Sequence, residues 1–281
     1  MARVTVDKEN HLPVDIHYED WGSGRPVVLV HGWPLSSGLW EFQVPDLLAA
    51  GHRVVVFDQR GFGASAKPCG GYDPDTLAAD LHMLFEHLDL RETTLVGFSS
   101  GACQAVRYLS RFGDQRVARL VLVSAAGPYL RRTDGHSEGF LEDGKLREYQ
   151  RCLTDDRVSF LHRFATKFFQ VAGTPATRPM TPQPLHTRVV MLAAPASHRG
   201  VLQTLGQAAT TDFRDDLRAV TVPTLVVHGE ADAVLPVEAT GARIAEAVPD
   251  CRLVRLPGAP HGLIVTRASE FNRELLAFLE G

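Results

Sequence analysis

The segment best suited to chemistry is Gly97-Phe98-Ser99-Ser100-Gly101, a serine with glycine two residues away on each side. It follows an apolar run and precedes a helix-like stretch, Ala102–Arg111. In that setting the pattern sets a serine on a tight strand-to-helix turn with its hydroxyl presented to reactants. Side chains two residues before and after it would collide, so both places must be small. The spacing assigns the nucleophile to Ser99, because choosing Ser100 would put Phe98 where no bulk is tolerated. A serine hydroxyl attacks only when a base takes its proton. His261, in Gly258-Ala259-Pro260-His261-Gly262, lies past the last apolar run and before the final helical stretch, where such a base can arrive. His31 and His228 sit beside glycines at the ends of apolar runs and read as structural histidines. His82, His87 and His162 fall in helical stretches. The imidazole in turn needs an acid to fix its tautomer. Asp232, in His228-Gly229-Glu230-Ala231-Asp232, is the favoured acid, with Glu230 its competitor. A developing oxyanion needs two donors. The backbone N–H of Ser100 is one, and that of Trp33, in His31-Gly32-Trp33-Pro34, is the other.

These groups must be positioned by a scaffold, and the sequence shows one. Val27–Val30, Arg53–Phe57, Thr93–Val96, Leu120–Val123, Thr224–Val227 and Arg252–Leu256 read as strands. Most do not alternate polar with apolar, which suits strands of a parallel sheet covered on both faces. Arg3–Val6 and Val14–Tyr18 read as an antiparallel hairpin at its edge. Helical spacing marks Asp73–Leu90, with Asp73-Pro74 as cap and first residue, and also Val237–Val248 and Arg267–Leu279. Strand–helix alternation implies a doubly wound α/β sheet. The interval between Ser124 and Thr224 is far longer than a crossover needs. Within it, Val158–Gln170 carries an apolar stripe and Thr174–Pro184 reads as a loop. The expected organisation is an α/β core over 1–134 and 206–281, with a helical cap inserted at 135–205.

The chain has 281 residues, 29 Lys+Arg against 33 Asp+Glu, and a net charge of -4. That balance gives no basic field for nucleic acid and no polybasic membrane anchor. Four dispersed cysteines, none in a C-x-x-C pair, read as idle thiols in a reducing compartment. With no secretory signal and no apolar run of membrane-spanning length, a cytoplasmic protein is expected.

Four landmarks together resemble the α/β-hydrolase superfamily: His31–Pro34, Asp58-Gln59-Arg60-Gly61-Phe62-Gly63-Ala64-Ser65, Gly97–Gly101, and the pair Asp232 and His261. The order Ser99, Asp232, His261 is that superfamily's order. The resemblance implies that Asp58 is structural rather than catalytic. His31–Leu35, Glu86–Leu90 and Leu95–Ser99 are similar to a group of aryl esterases and cofactor-free haloperoxidases, or perhydrolases. Membership there implies a Ser-His-Asp hydrolase with no cofactor and no metal or haem. Ser100 departs from the group, which often has Met or Thr at that place. A serine nucleophile argues against epoxide hydrolases and haloalkane dehalogenases, whose chemistry requires a carboxylate.

The expected activity is hydrolysis of carboxylic esters, lactones or thioesters. Perhydrolysis, carbon–carbon bond hydrolysis and non-catalytic ligand binding are the alternatives. The expected partner is a small-molecule ester or related acyl substrate, with no nucleic acid and no membrane; an oligomer is compatible with the composition. Trp33, Phe140, Phe160, Phe164, Phe168 and Phe169 are candidates to line an apolar acyl pocket, and packing of the cap onto the core accounts for the phenylalanines equally well.

Overall fold

The apolar runs become strands of a single sheet. In the computed structural model, which describes residues 2–171 and 183–281, eight strands form. They are β1 (Ala2–Glu9), β2 (Leu12–Trp21), β3 (Pro26–Val30), β4 (Arg53–Phe57), β5 (Thr93–Phe98), β6 (Val117–Val123), β7 (Thr224–Gly229) and β8 (Cys251–Leu256). Their order is β1-β2-β4-β3-β5-β6-β7-β8. β2 runs antiparallel to both neighbours, and every other pairing is parallel.

Helices occupy the connections: α1 (Val44–Ala49), α2 (Pro74–His87), α3 (Ser100–Phe112), α4 (Asp143–Asp155), α5 (Arg157–Phe168), α6 (Gln183–Ala193), α7 (His198–Thr210), α8 (Arg214–Arg218), α9 (Gly241–Ala247), α10 (Leu263–Thr266) and α11 (Ala268–Glu280). Alternate strand residues feed two buried layers. Val27, Leu29, Val96 and Val227 join Leu47 of α1 and Phe271 and Leu275 of α11. Val28, Val30, Leu95 and Val226 join Leu81 of α2, Ala105 of α3 and Ile244 of α9. Both faces are covered, which is why these strands read as unbroken apolar runs. α2 starts where expected: the Asp73 side chain accepts from Thr76 N–H, and Pro74 fills the first turn.

Local readings are corrected. Val237–Val248 is not one helix. A 3₁₀ turn, Val237–Ala239, precedes α9, and the break falls where Gly241 packs against the His228 ring. A Cβ there would stand 2.5 Å from His228 Nδ1. Val158 leaves the buried stripe of α5 and is 64% exposed. Pro184, expected in a loop, stands in the first turn of α6, and the part of that stretch over 174–182 lies outside the described residues. The boundary expected after residue 205 falls inside α7. Among the described residues, no helix is long and apolar enough to cross a membrane.

Register brings the chemical groups together. Val30 pairs with Gly97, so the His31–Pro34 turn leaves β3 beside the turn that leaves β5. Gly229 pairs with Leu256, so the loops after β7 and β8 emerge side by side. All four loops open at the carboxyl edge of the sheet, the usual place for a site in an open α/β fold.

Candidate active site

Ser99 lies between β5 and α3 with φ 53 and ψ −119, a strained conformation for a residue with a side chain. Two glycines make the turn possible. A Cβ on Gly97 would lie 2.6 Å from Ala102 Cα, and one on Gly101 would lie 2.5 Å from the carbonyl oxygens of Val30 and His31. The collision argued from the sequence is thus with main chain, which cannot step aside. Phe98 packs edge-on to Trp40 and Phe168, and its ring lies 5.1 Å from that of His261.

His261 and Asp232 meet Ser99 in one line. The Ser99 hydroxyl lies 3.2 Å from His261 Nε2, within its donating reach. His261 Nδ1–H donates to Asp232 Oδ2 at 2.7 Å. That bond fixes the tautomer and leaves the Nε2 lone pair facing Ser99. All three residues are buried. Asp232 Oδ1 accepts the main-chain N–H groups of Val234 and Leu235, each at 2.8 Å. Burial alone would push the Asp232 carboxyl up. The opposing pull of His261 and His228 overcomes it and holds the group well below the usual carboxylate range. Glu230, the competing acid, is exposed and is not a hydrogen-bond partner of His261.

His228 was read as structural, and the structure adds a contact the sequence reading missed. Its ring is fully buried, with Nε2 2.9 Å from Leu235 O and 3.3 Å from Asp232 Oδ2. Its position four residues before Asp232 was the available signal. His31 is structural as expected: Gln59 N–H donates to its Nε2 at 3.0 Å, and burial lowers its pKa despite the nearby Asp58. Asp58 ties a loop, accepting from Ser37 N–H and Ala64 N–H at 2.7 Å each.

The two expected oxyanion donors are adjacent, but one is engaged. Trp33 N–H donates to the Ser100 hydroxyl oxygen at 2.8 Å. The Trp33 indole N–H donates to Val201 O of α7 at 2.9 Å, and its ring meets Phe160 and Phe164 of α5 edge-on. Phe168 and Phe169 press against Gly262, and Phe168 stands edge-on to the His261 ring at 5.4 Å. Both are buried and brace the histidine loop. Phe140 is a correction. It packs with Leu130, Phe213 and Leu235, in a separate cluster from Trp33, Phe160, Phe164, Phe168 and Phe169. Among the described residues, no group of three or more His, Cys, Asp or Glu is arranged to hold a metal ion.

A serine on a strained turn, a tautomer-fixed imidazole and a buried carboxylate on this sheet define a hydrolase of the α/β class. Residues 25–268 match the family described as alpha/beta hydrolase fold, and the chain belongs to that family. It is similar to the crystal structure of a bromoperoxidase from Bacillus anthracis, with a TM-score of 0.95 and 42% identity covering 100% of this chain and 99% of that one. A non-heme chloroperoxidase of Kitasatospora aureofaciens is 37% identical over 268 residues, 95% of this chain and 96% of the relative. A bifunctional esterase/perhydrolase of Acinetobacter calcoaceticus is 35% identical over 269 residues, again 95% and 96%.

Proposed function

We propose that the protein cleaves carboxylic esters, lactones and thioesters among them, through an acyl-enzyme on Ser99. The observation that carries this reading is the continuous hydrogen-bonded line from Ser99 through His261 to Asp232. Ser99 Oγ attacks the acyl carbon as its proton passes to His261 Nε2, and the carbonyl electron pair moves onto oxygen. Asp232 stays ionised and stabilises the imidazolium. The oxyanion is held by the N–H groups of Ser100 and Trp33. Collapse expels the alcohol or thiol, which takes the proton from His261. Water then repeats the sequence and frees the acid. The helices α4–α7 act as a cap: Phe160, Phe164 and Val201 hold Trp33, and Phe168 backs His261. A cytoplasmic setting is supported by four cysteines that all stand free.

Perhydrolysis is the second reading, favoured by the relatives named as haloperoxidases and perhydrolase. There hydrogen peroxide replaces water at the acyl-enzyme and a peracid leaves. A fluorophosphonate probe and p-nitrophenyl acetate test the shared step. The probe is expected on Ser99, and Ser99→Ala is expected to lose about 10⁶ in turnover. Undiminished hydrolysis in that variant removes the mechanism. Peracid formed from ester and peroxide, measured against acid formed without it, separates the two readings.

A further inference from the structure

We infer that the Ser100 hydroxyl stands in the oxyanion site of the free protein as an internal competitor, holding the Trp33 N–H until substrate displaces it. The inference rests on the serine-hydrolase reading and assigns Ser100 a second part in it, through its side chain.

The Trp33 amide has one hydrogen, and Ser100 Oγ accepts it at 2.8 Å. Ser100 is the first residue of α3, so its own N–H has no carbonyl one turn back to bond. Oγ is three bonds from that nitrogen, and covalent geometry keeps the two within about 4 Å. The hydroxyl oxygen therefore lies near both donors that an oxyanion would use. Ser100 is half-buried beside the fully packed β5, and its χ1 is the one torsion needed to move the oxygen aside. Trp33 has no such freedom: Val201 O holds its indole N–H and two phenylalanine rings hold its edges. The hydroxyl, not the amide, is the part that yields.

This has a consequence for each stage of the reaction. An ester carbonyl is a neutral acceptor, as the serine hydroxyl is, so the exchange of one for the other brings no gain when substrate binds. An oxyanion forms a charge-assisted bond roughly twice as strong. The Trp33 donor is thus given up to developing charge and withheld from the bound ester. Contacts made in the transition state and not in the ground state keep substrate binding weak without weakening the chemical step. No covalent bond to Ser100 forms or breaks, and its proton stays on its oxygen.

The test compares wild type, Ser100→Ala and Ser100→Thr on p-nitrophenyl acetate, with kcat and KM resolved. In Ser100→Ala, KM is expected to fall and kcat/KM to rise by about 2- to 10-fold, the equilibrium worth of one neutral hydrogen bond. Ser100→Thr retains a hydroxyl and is expected to restore the wild-type KM. A trifluoromethyl ketone, which forms an oxyanion on Ser99, is expected to bind Ser100→Ala more tightly by the same factor. Independently of turnover, the backbone amide resonance of Trp33 in 15N-tryptophan-labelled protein is expected to move in Ser100→Ala and not in Ser100→Thr. A kcat/KM that is equal or lower in Ser100→Ala, or a Trp33 resonance indifferent to the substitution, overturns the inference. Failure of the serine-hydrolase reading is seen separately, as absence of fluorophosphonate on Ser99 while the Trp33 resonance still responds.

Discussion

Replacing Asp232 by asparagine exchanges one oxygen for an NH₂ group and reverses the direction of a proton. Asp232 Oδ1 is fixed by two main-chain donors, Val234 N–H and Leu235 N–H, each at 2.8 Å. An amide NH₂ at that position would face two donors, so in Asp232→Asn the amide oxygen must take it. The NH₂ then replaces Oδ2, 2.7 Å from His261 Nδ1. Nδ1 can only accept from it, so the ring hydrogen moves to Nε2, where it faces the Ser99 hydroxyl and blocks proton abstraction. His228 does not relieve the conflict, because its Nε2 retains Leu235 O at 2.9 Å. A wrong tautomer of this kind costs about 10⁴ in kcat, or about 5.4 kcal/mol at 1.36 kcal/mol per tenfold. Stopped-flow hydrolysis of p-nitrophenyl acetate measures it, and fluorophosphonate labelling of Ser99 should slow in parallel. A variant retaining more than about a tenth of wild-type kcat would refute the assignment and return Glu230 to consideration.

Other perturbations test the frame around the site. Gly101→Ala drives a Cβ to 2.5 Å from two main-chain oxygens and should cost about 1–3 kcal/mol or more, read as a lowered melting temperature; an unchanged melt would show that the turn tolerates bulk. Asp80→Ala removes the two 2.6 Å bonds to Arg60, whose side chain is 2% exposed, leaving that guanidinium with Asp7 alone. Urea denaturation should show a loss of about 3–5 kcal/mol, and a loss below about 1 kcal/mol would contradict the burial of that pair. Because the Asp232 pKa is lowered on folding, its carboxylate contributes stability that is complete above the ordinary value of 3.8 and declines as pH falls below it. The stability difference between wild type and Asp232→Asn should therefore be level above about pH 5 and shift against wild type below about pH 4. A difference independent of pH across that range would deny the lowered pKa.

Much of this was legible because the relevant forces are local. β3, β5 and β7 are buried on both sides, so their composition is nearly all apolar and their ends are marked by glycine and polar residues. The serine turn was legible because its steric demand reaches only two residues either way. Asp232 and His261 followed from their places after β7 and β8. The strand order was not readable, since it depends on crossovers whose direction leaves no trace in a strand's own residues. The interruption before α9 was missed because the packing at that point, the His228 ring of β7 against Gly241, joins residues distant in sequence. Phe140 carries the same apolar signal whether it faces a site or a satellite cluster, and only the packing against Phe213 and Leu235 separates the two. The Ser100 contact likewise joins residues 67 positions apart.

Trp33 gives one residue two allegiances. Its main-chain N–H is the donor proposed for the charge that forms during turnover, while its indole is anchored to α5 and α7 by Phe160, Phe164 and Val201. On that proposal, a substitution in those helices that enlarges the room for an acyl group also tugs on the amide assigned to the oxyanion. Remodelling for a new substrate and preserving rate are not separable tasks in this chain, and variants selected for altered preference should need a second change near Trp33 to recover their pace.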